Sequence, residues 1–282
     1  MKTPKRLQPL VEEGLIDEVM RQLMSGKEAT VYVVRCGDDI RCAKVYKEAN
    51  ERSFHQAVAY QEGRRVKNSR QARAMEKGTR YGRKMAEEVW QNAEVDALYR
   101  LAAAGVRVPT PYICFEGVLL MELVTDATGN AAPRLNDVEL THALALQYHA
   151  MLLKQVVLML CAGVIHGDLS EYNILVDEHG PVIIDLPQAI DAAGSSVASS
   201  MLERDVDNLA NFFAVAAPEL QGSQYGKEIW GLYQAGLLTP ESPLTGIVAA
   251  PTHVADVGAV IHEIALAREE EEERRRQMEM YD

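Results

Sequence analysis

Cysteine is scarce in this chain. Its four residues, Cys36, Cys42, Cys114 and Cys161, form no CxxC pair and no Cys/His cluster with zinc-ligand spacing. That excludes a disulfide framework or a zinc knuckle as the organising element and leaves reduced structural thiols. Uninterrupted apolar runs of the roughly 18 residues needed to span a bilayer are lacking. The closest approach, Leu140 to Ala162, is broken by His142, Gln147, His149, Lys154 and Gln155 and reads as a buried core helix ended by Gly163. Met1 to Leu10 is basic and contains proline, without the apolar core of a signal peptide. Excess positive charge is missing as well, for the net charge is −12, which argues against a chain that coats nucleic acid. No internal repeat is visible. These absences predict a cytoplasmic protein with no membrane association.

The 282 residues, 48% hydrophobic and 25% charged, suit one large globular domain or two small ones. Charge is unevenly spread. Arg52 to Lys84 holds ten Lys/Arg against two acids, a local +8 that leaves −20 on the remainder, and the stretch from Glu48 to Lys84 reads as a loop with some helix. Apolar spacing predicts a helix over Leu10 to Leu23. A β-hairpin follows, from Val31 to Arg35 and Ile40 to Tyr46 about a turn at Gly37-Asp38-Asp39. Ala86 to Ala104 reads as a helix stopped by Gly105 and reinforced by Pro109 and Pro111. Two strands, Tyr112 to Phe115 and Val118 to Val124, lead into a small-residue linker from Asp126 to Asn136. Beyond the core helix come short strands at Ile174 to Val176 and Val182 to Ile184, then a helix over Met201 to Ala217. Glu270, Glu271 and Glu272 stand four residues before arginines, which favours an exposed terminal helix.

Chemistry concentrates in His166-Gly167-Asp168-Leu169-Ser170-Glu171-Tyr172-Asn173-Ile174-Leu175. An acid and an amide five residues apart, between a buried helix and a strand, suit phosphoryl transfer. The carboxylate orients or deprotonates the attacking hydroxyl, and the amide oxygen helps hold a metal. Twelve residues after Asn173, Asp185 ends an apolar strand, where a carboxylate can take a Mg²⁺ that bridges phosphates. Upstream, Lys44 in Cys42-Ala43-Lys44 suits a phosphate-pairing lysine, and Glu94 on the next helix its ion-pair partner. Glu87 and Glu88 compete for that role, although they lie nearer the helix start, where acids are common. Side chains alternate along a strand, so Cys42 is expected to face the same way as Lys44 and to line the adenine pocket.

Ser25-Gly26-Lys27-Glu28-Ala29-Thr30-Val31-Tyr32 resembles the phosphate loop of RIO-type atypical serine/threonine protein kinases. There Gly26 lets backbone amides approach phosphate, and Ser25 and Lys27 add a hydroxyl and a charge. His166 to Leu175 resembles that family's catalytic loop, and Ile183-Ile184-Asp185-Leu186-Pro187-Gln188 its metal-binding segment. Leu202 to Phe213, with Arg204-Asp205, fits the next helix. The likeness runs from about Leu7 to Ala214 and points to the first subfamily and its bacterial relatives, since no room exists for a winged helix.

The resemblance implies an α+β, bilobal kinase-like fold with a small β-rich N-lobe (about 1–124), a linker (about 125–136), a helical C-lobe (about 137–216) and a helical C-terminal extension (about 217–282). It implies Asp168 as catalytic aspartate, with Lys44 and Asp185 completing the catalytic set. Asn173 and Asp185 become metal ligands, and Glu94 a structural ion-pair partner. Ser25, Gly26, Lys27, Glu28, Val31, Cys42, Lys44, Met121, Glu122, Val124, Leu175 and Ile184 would line the nucleotide site, Met121 at its back and Glu122 to Val124 as hinge. ATP with Mg²⁺, or Mn²⁺ in its place, is the implied cofactor. The partner is a protein substrate, the chain itself through autophosphorylation (Ser195, Ser196, Ser199 and Ser200 being candidate acceptors), or a ribosomal or RNA partner bound through Arg52 to Lys84. Two other readings stand beside it: a small-molecule kinase of the aminoglycoside or choline type, and an ATP-gated assembly factor of slow turnover. An ATPase switch with Asp185 as phosphoryl acceptor fits the same residues.

Overall fold

The computed structural model describes residues 3–26, 28–47 and 93–248. Its N-terminal part is a five-stranded antiparallel sheet in the order β1-β2-β3-β5-β4. The strands are β1 (Glu18–Ser25), β2 (Ala29–Cys36), β3 (Asp39–Tyr46), β4 (Pro111–Phe115) and β5 (Val118–Glu122). Val34, Ala43, Val45, Val118 and Leu120 share the outer face and pack under Leu7 and Leu10 around helix α1 (Gln8–Glu12), closing a small apolar core. The opposite face, with Ala29, Tyr46 and Leu119, joins the main core. That core also takes Val95, Leu98 and Leu101 from helix α2, described over 93–103.

The helix predicted over Leu10 to Leu23 is not formed. α1 stops at Glu12, Gly14 adopts φ 71°, and Leu15 N–H returns to the Leu10 carbonyl, a helix-terminating arrangement. Leu23 belongs to β1, whose pairing with β2 shifts between Val19 and Arg21 and again between Gln22 and Met24. Those irregularities erase the period of two, and the leftover spacing imitates a helix. Met20, which a buried helical face would have covered, is 45% exposed.

Helix α2 ends where Gly105 turns to φ 77°, as its sequence predicts. Residues 86–92 and the basic stretch lie outside the described residues. The strand expected to reach Val124 ends at Glu122, after which the chain folds into a turn instead of a loose linker. Thr125 bridges Ala131, and the Asp126 carboxylate accepts from Thr128 N–H, Thr128 Oγ1 and Asn130 N–H.

The C-terminal part is built on helix α3 (His142–Cys161), N-capped by Thr141, whose hydroxyl accepts from Leu144 N–H. By length and composition α3 could cross a membrane, yet half of its most apolar window is buried inside the protein. Leu152, Val156, Val157 and Leu160 meet Leu202, Val206, Leu209 and Phe213 of helix α4 (Ala198–Phe213) in the main core. α4 ends before the expected Ala217, because Pro218 disfavours a helical residue before it; residues Pro218–Leu220 form a 3₁₀ turn instead. Two short ladders complete this part: β6 (Val164–Ile165) with β9 (Ile190–Asp191), and β7 (Ile174–Asp177) with β8 (Gly180–Ile183).

The compact unit includes the first part of the expected C-terminal extension, as far as Ile247. Helix α5 (Tyr225–Gln234) lies so close to α4 that a Cβ on Gly226 would stand 2.8 Å from Glu203 Cα. The Glu228 carboxylate then ties down the end of the unit by accepting from Thr245 N–H, Thr245 Oγ1 and Gly246 N–H. The expected terminal helix around Glu270 lies outside the described residues.

Candidate active site

Register decides which side chains face the cleft. Lys44 stands opposite Val31 on one side and Leu119 on the other; Cys42 stands opposite Val33 and Met121. These side chains share one sheet face, while Ala43 and Val45 are buried on the other. Burial pushes the Cys42 thiol up to about 12. Val31, Cys42 and Met121 therefore form a contiguous roof beside Lys44.

The Lys44 ammonium reaches across that roof to two carboxylates. It donates to Glu94 Oε1 at 2.5 Å and to Asp185 Oδ1 at 2.9 Å, joining positions 50 and 141 residues apart. Burial alone would lower the lysine's pKa, but Glu94 and Asp185 outweigh it and hold the ammonium well above its ordinary value. Burial likewise raises Asp185, and Lys44 more than reverses the effect, keeping the carboxyl below the usual range. Tyr46, its ring 5.6 Å from Lys44 Nζ, closes the inner side. Glu87 and Glu88 are not among the described residues, so within these it is Glu94 that pairs with Lys44.

Asp185 has φ 67°, a left-handed conformation that costs a non-glycine residue of order 1 kcal/mol and marks functional positions. Its side chain remains 45% exposed, open to the cleft. The preceding residue, Ile184, is held from both sides. Its N–H donates to the Asn173 carbonyl, and its own carbonyl accepts from His166 Nε2 at 3.1 Å. Asp168 N–H donates to His166 Nδ1, so both ring nitrogens are engaged and the imidazole ties the two segments together.

The loop bearing Asp168 is clamped through its backbone. Buried Asp205 of α4 accepts from Gly167 N–H at 2.7 Å and from Leu169 N–H at 3.0 Å. Arg204 donates to the Gly167 carbonyl and Asn208 to the Leu169 carbonyl. Burial raises the Asp205 carboxyl above its ordinary value, partly offset by His166 and the two amides. Gly167 has φ 81°, and a Cβ there would meet Met201 Cε at 2.5 Å and the Gln188 carbonyl oxygen at 2.7 Å. Only glycine fits. The sequence pattern assigned no role to Asp205; its signal was an acid flanked by Leu202, Val206 and Leu209 on the buried face of a helix.

Asn173 Nδ2 donates to the Asp168 carbonyl at 2.9 Å, which leaves Oδ1 as the side chain's acceptor atom. Among the described residues no group of three or more His, Cys, Asp or Glu is assembled for a metal. One carboxylate and one amide oxygen are hard donors suited to a Mg²⁺ that takes its remaining ligands from phosphates and water. The residues present fit such an ion.

The remaining candidates line the rim. Ser25 and Thr30 hydroxyls lie 3.2 Å apart, Gly26 N–H donates to the Ala29 carbonyl, and Lys47 Nζ donates to the Gly26 carbonyl at 2.7 Å. Glu28 O accepts from Lys47 N–H, whereas Lys27 lies outside the described residues. Leu175 packs with Val124, Ala132 and Val182 on the floor. Glu122 turns its carboxylate to Thr110, accepting from N–H and Oγ1, so only its main chain can serve a hinge. Val124 O is taken by Ala132 N–H; among the described residues, Val124 N–H has no partner. Ser195, Ser199 and Ser200 sit at the entry to α4, with Ser199 Oγ donating to Glu203 and Ser200 Oγ to the Val197 carbonyl.

An antiparallel sheet carrying a lysine over a helical part carrying the catalytic-loop and metal-segment acids defines a kinase-like phosphotransferase. The particular kind follows from comparison with known proteins. A RIO domain profile matches residues 30–224. Over 229 residues the chain is 33% identical to the RIO-type serine/threonine-protein kinase Rio1 of Haloferax volcanii, covering 79% of this chain and 72% of that one. It is 32% identical over 191 residues to the Methanocaldococcus jannaschii protein of the same description, covering 67% of this chain and 60% of that one. It is 28% identical over 220 residues to the serine/threonine-protein kinase rio1 of Schizosaccharomyces pombe, covering 75% of this chain but only 41% of the yeast protein. The chain belongs to the RIO family of protein kinases. Membership of a protein-kinase family implies, in general terms, ATP and a divalent metal such as Mg²⁺. The small-molecule kinase reading is not favoured.

Proposed function

We propose that the chain transfers the γ-phosphoryl group of Mg-ATP to serine or threonine hydroxyls of proteins, itself included, through the cleft between Lys44 and Asp168. The observation that carries this reading is the ion-paired set Lys44, Glu94 and Asp185, which brings three distant chain segments to one point. Glu94 keeps hold of Lys44, so the ammonium can leave Asp185 for phosphate oxygens without losing its position. Asp185, thereby released, and Asn173 Oδ1 are the groups that would hold Mg²⁺ (or Mn²⁺). Bound there, the ion would offset the negative charge of the phosphates. Val31, Cys42 and Met121 above, with Leu175 and Ile184 below, enclose an apolar slot for adenine, and the Val124 N–H is an available hinge donor.

Asp168 projects from a loop whose backbone cannot shift without breaking the Asp205 bonds. Its carboxylate orients the attacking hydroxyl and accepts the proton, the hydroxyl oxygen bonds to γ-phosphorus, and the bond to the β-bridging oxygen breaks to release ADP. In the related switch reading, the Asp185 carboxylate itself takes the phosphoryl group before water removes it. We read the basic stretch 52–84, outside the described residues, as the contact for a phosphate-bearing partner; reversing Arg64, Arg65, Arg70 and Arg73 should abolish salt-dependent RNA binding. A cytoplasmic location accords with this reading.

Radiolabelled Mg-ATP turnover by the wild type, Asp168→Ala and Asp185→Asn tests the assignment. We expect label in acid-stable phosphoserine or phosphothreonine for the wild type, with loss of at least about 10²-fold in either variant. An acid-labile, hydroxylamine-sensitive acyl-phosphate trapped on the protein would favour the switch. Turnover unaffected by both substitutions would sink the mechanism.

A further inference from the structure

Arg134 is a cation in the cleft whose role the catalytic set does not explain. Its backbone is pinned to the C-lobe floor: it is extended (φ −73°, ψ 151°), bridges Leu175, and follows Pro133, whose carbonyl accepts from Val176 N–H. Its side chain crosses to the N-lobe, where Nη2 lies 3.2 Å from Met24 Sδ. Met24 immediately precedes Ser25-Gly26 and stands opposite Val31, which in turn stands opposite Lys44. The guanidinium therefore sits beneath the entrance to the phosphate loop, across the cleft mouth from Lys44.

A thioether is a weak acceptor, and Met24 is 41% exposed. Among the described residues no carboxylate lies within ion-pair distance of Arg134. A planar five-donor cation held on an exposed sulfur at the entrance to the phosphate loop is poised for an anion that arrives with the ligand. Phosphate oxygens match its fork geometry.

We propose that Arg134 is a nucleotide-binding residue that leaves Met24 to grip the polyphosphate of bound ATP, opposite Lys44. The proposal rests on the nucleotide reading of the cleft. Because the side chain is anchored in one lobe and reaches under the other, its grip also draws the phosphate loop down on the nucleotide.

Calorimetric titration of the full chain with Mg-ATP and, separately, with adenosine tests this without recourse to turnover. Arg134→Leu should weaken Mg-ATP by about tenfold, the scale of one lost charge-assisted contact, and leave adenosine unchanged. Arg134→Lys, which keeps charge but loses the fork, should fall between. Met24→Ala should leave Mg-ATP affinity intact, since the sulfur is only a resting place. Equal losses for adenosine and Mg-ATP, or a Met24→Ala loss matching that of Arg134→Leu, would make Arg134 a latch between lobes and overturn the assignment. Unchanged Mg-ATP affinity in Arg134→Leu would overturn it too. A wild type that binds neither ligand would overturn the nucleotide reading itself.

Discussion

The two loops that bracket the cleft are built on opposite principles. The catalytic loop has its backbone groups at Gly167 and Leu169 bonded to Asp205, Arg204 and Asn208, and Gly167, like Asp185 of the metal-binding segment, stands in a left-handed conformation. Among the described residues, the phosphate loop has backbone bonds from Gly26 N–H to the Ala29 carbonyl and from Lys47 N–H to the Glu28 carbonyl, a Ser25–Thr30 hydroxyl contact and a lysine side chain on the Gly26 carbonyl. Chemistry on the transferring phosphoryl group needs fixed charge, and strain there is compensated by the surrounding core. Phosphate loops must instead yield as the ligand enters. One loop is preorganised, the other adaptable.

The largest effect should come from cutting the clamp. Asp205→Ala leaves two buried N–H groups without an acceptor, at about 1–3 kcal/mol each. Urea unfolding should therefore show a loss of several kcal/mol, and kcat should fall by at least about 10²-fold while Mg-ATP affinity changes little. Asp205→Asn, which retains one acceptor oxygen, should recover part of both. An Asp205→Ala protein with wild-type kcat would break the comparison.

A second prediction concerns acid. His149 of α3 is buried between Phe213 and Tyr225, at ring distances of 5.9 and 5.4 Å, and its Nε2 has no partner among the described residues. Burial lowers its pKa from 6.5 to about 4. The unfolded chain therefore takes up this proton first as pH falls, and stability should decline between about pH 6.5 and 4 by about 3 kcal/mol in all. His149→Phe should flatten that acid limb without changing stability at pH 8 by more than about 1.5 kcal/mol. Unfolding midpoints at pH 8 and 4.5 for both proteins decide it. This placement makes the core helix α3, and not the phosphate loop, the acid-sensitive part.

Most of the site was legible in the sequence because its parts are contiguous. Asp168 and Asn173 share one loop, Asp185 follows within one strand–turn–strand, and the Cys42–Lys44 alternation on β3 needs only a period of two. What sequence could not reveal depends on registers and distant contacts. The bulges of β1 removed its periodicity and left a false helix over Leu10 to Leu23. The role of Asp205 required knowing that α4 runs beneath the catalytic loop, 36 residues away from Leu169. Likewise, Arg134 acquires meaning only when Leu175 and Met24 are seen on either side of it.

The smallest effect should come from the adaptable loop, where a matched pair of substitutions isolates backbone strain. Gly167→Ala places a methyl group at φ 81° against the Gln188 carbonyl and should destabilise by about 3 kcal/mol or more. Gly26→Ala meets neither obstacle: its φ is not left-handed, and a Cβ there would lie 3.7 Å from the Ala29 carbonyl oxygen, an ordinary contact. Its effect on stability should stay within about 0.5 kcal/mol. Only the approach of phosphate to the backbone is crowded, so KM for ATP should rise a few-fold, by roughly 1 kcal/mol or less, with kcat nearly unchanged. Equal destabilisation by the two alanines in urea would show that the phosphate loop is as tightly specified as the catalytic loop, and the distinction between them would have to be abandoned.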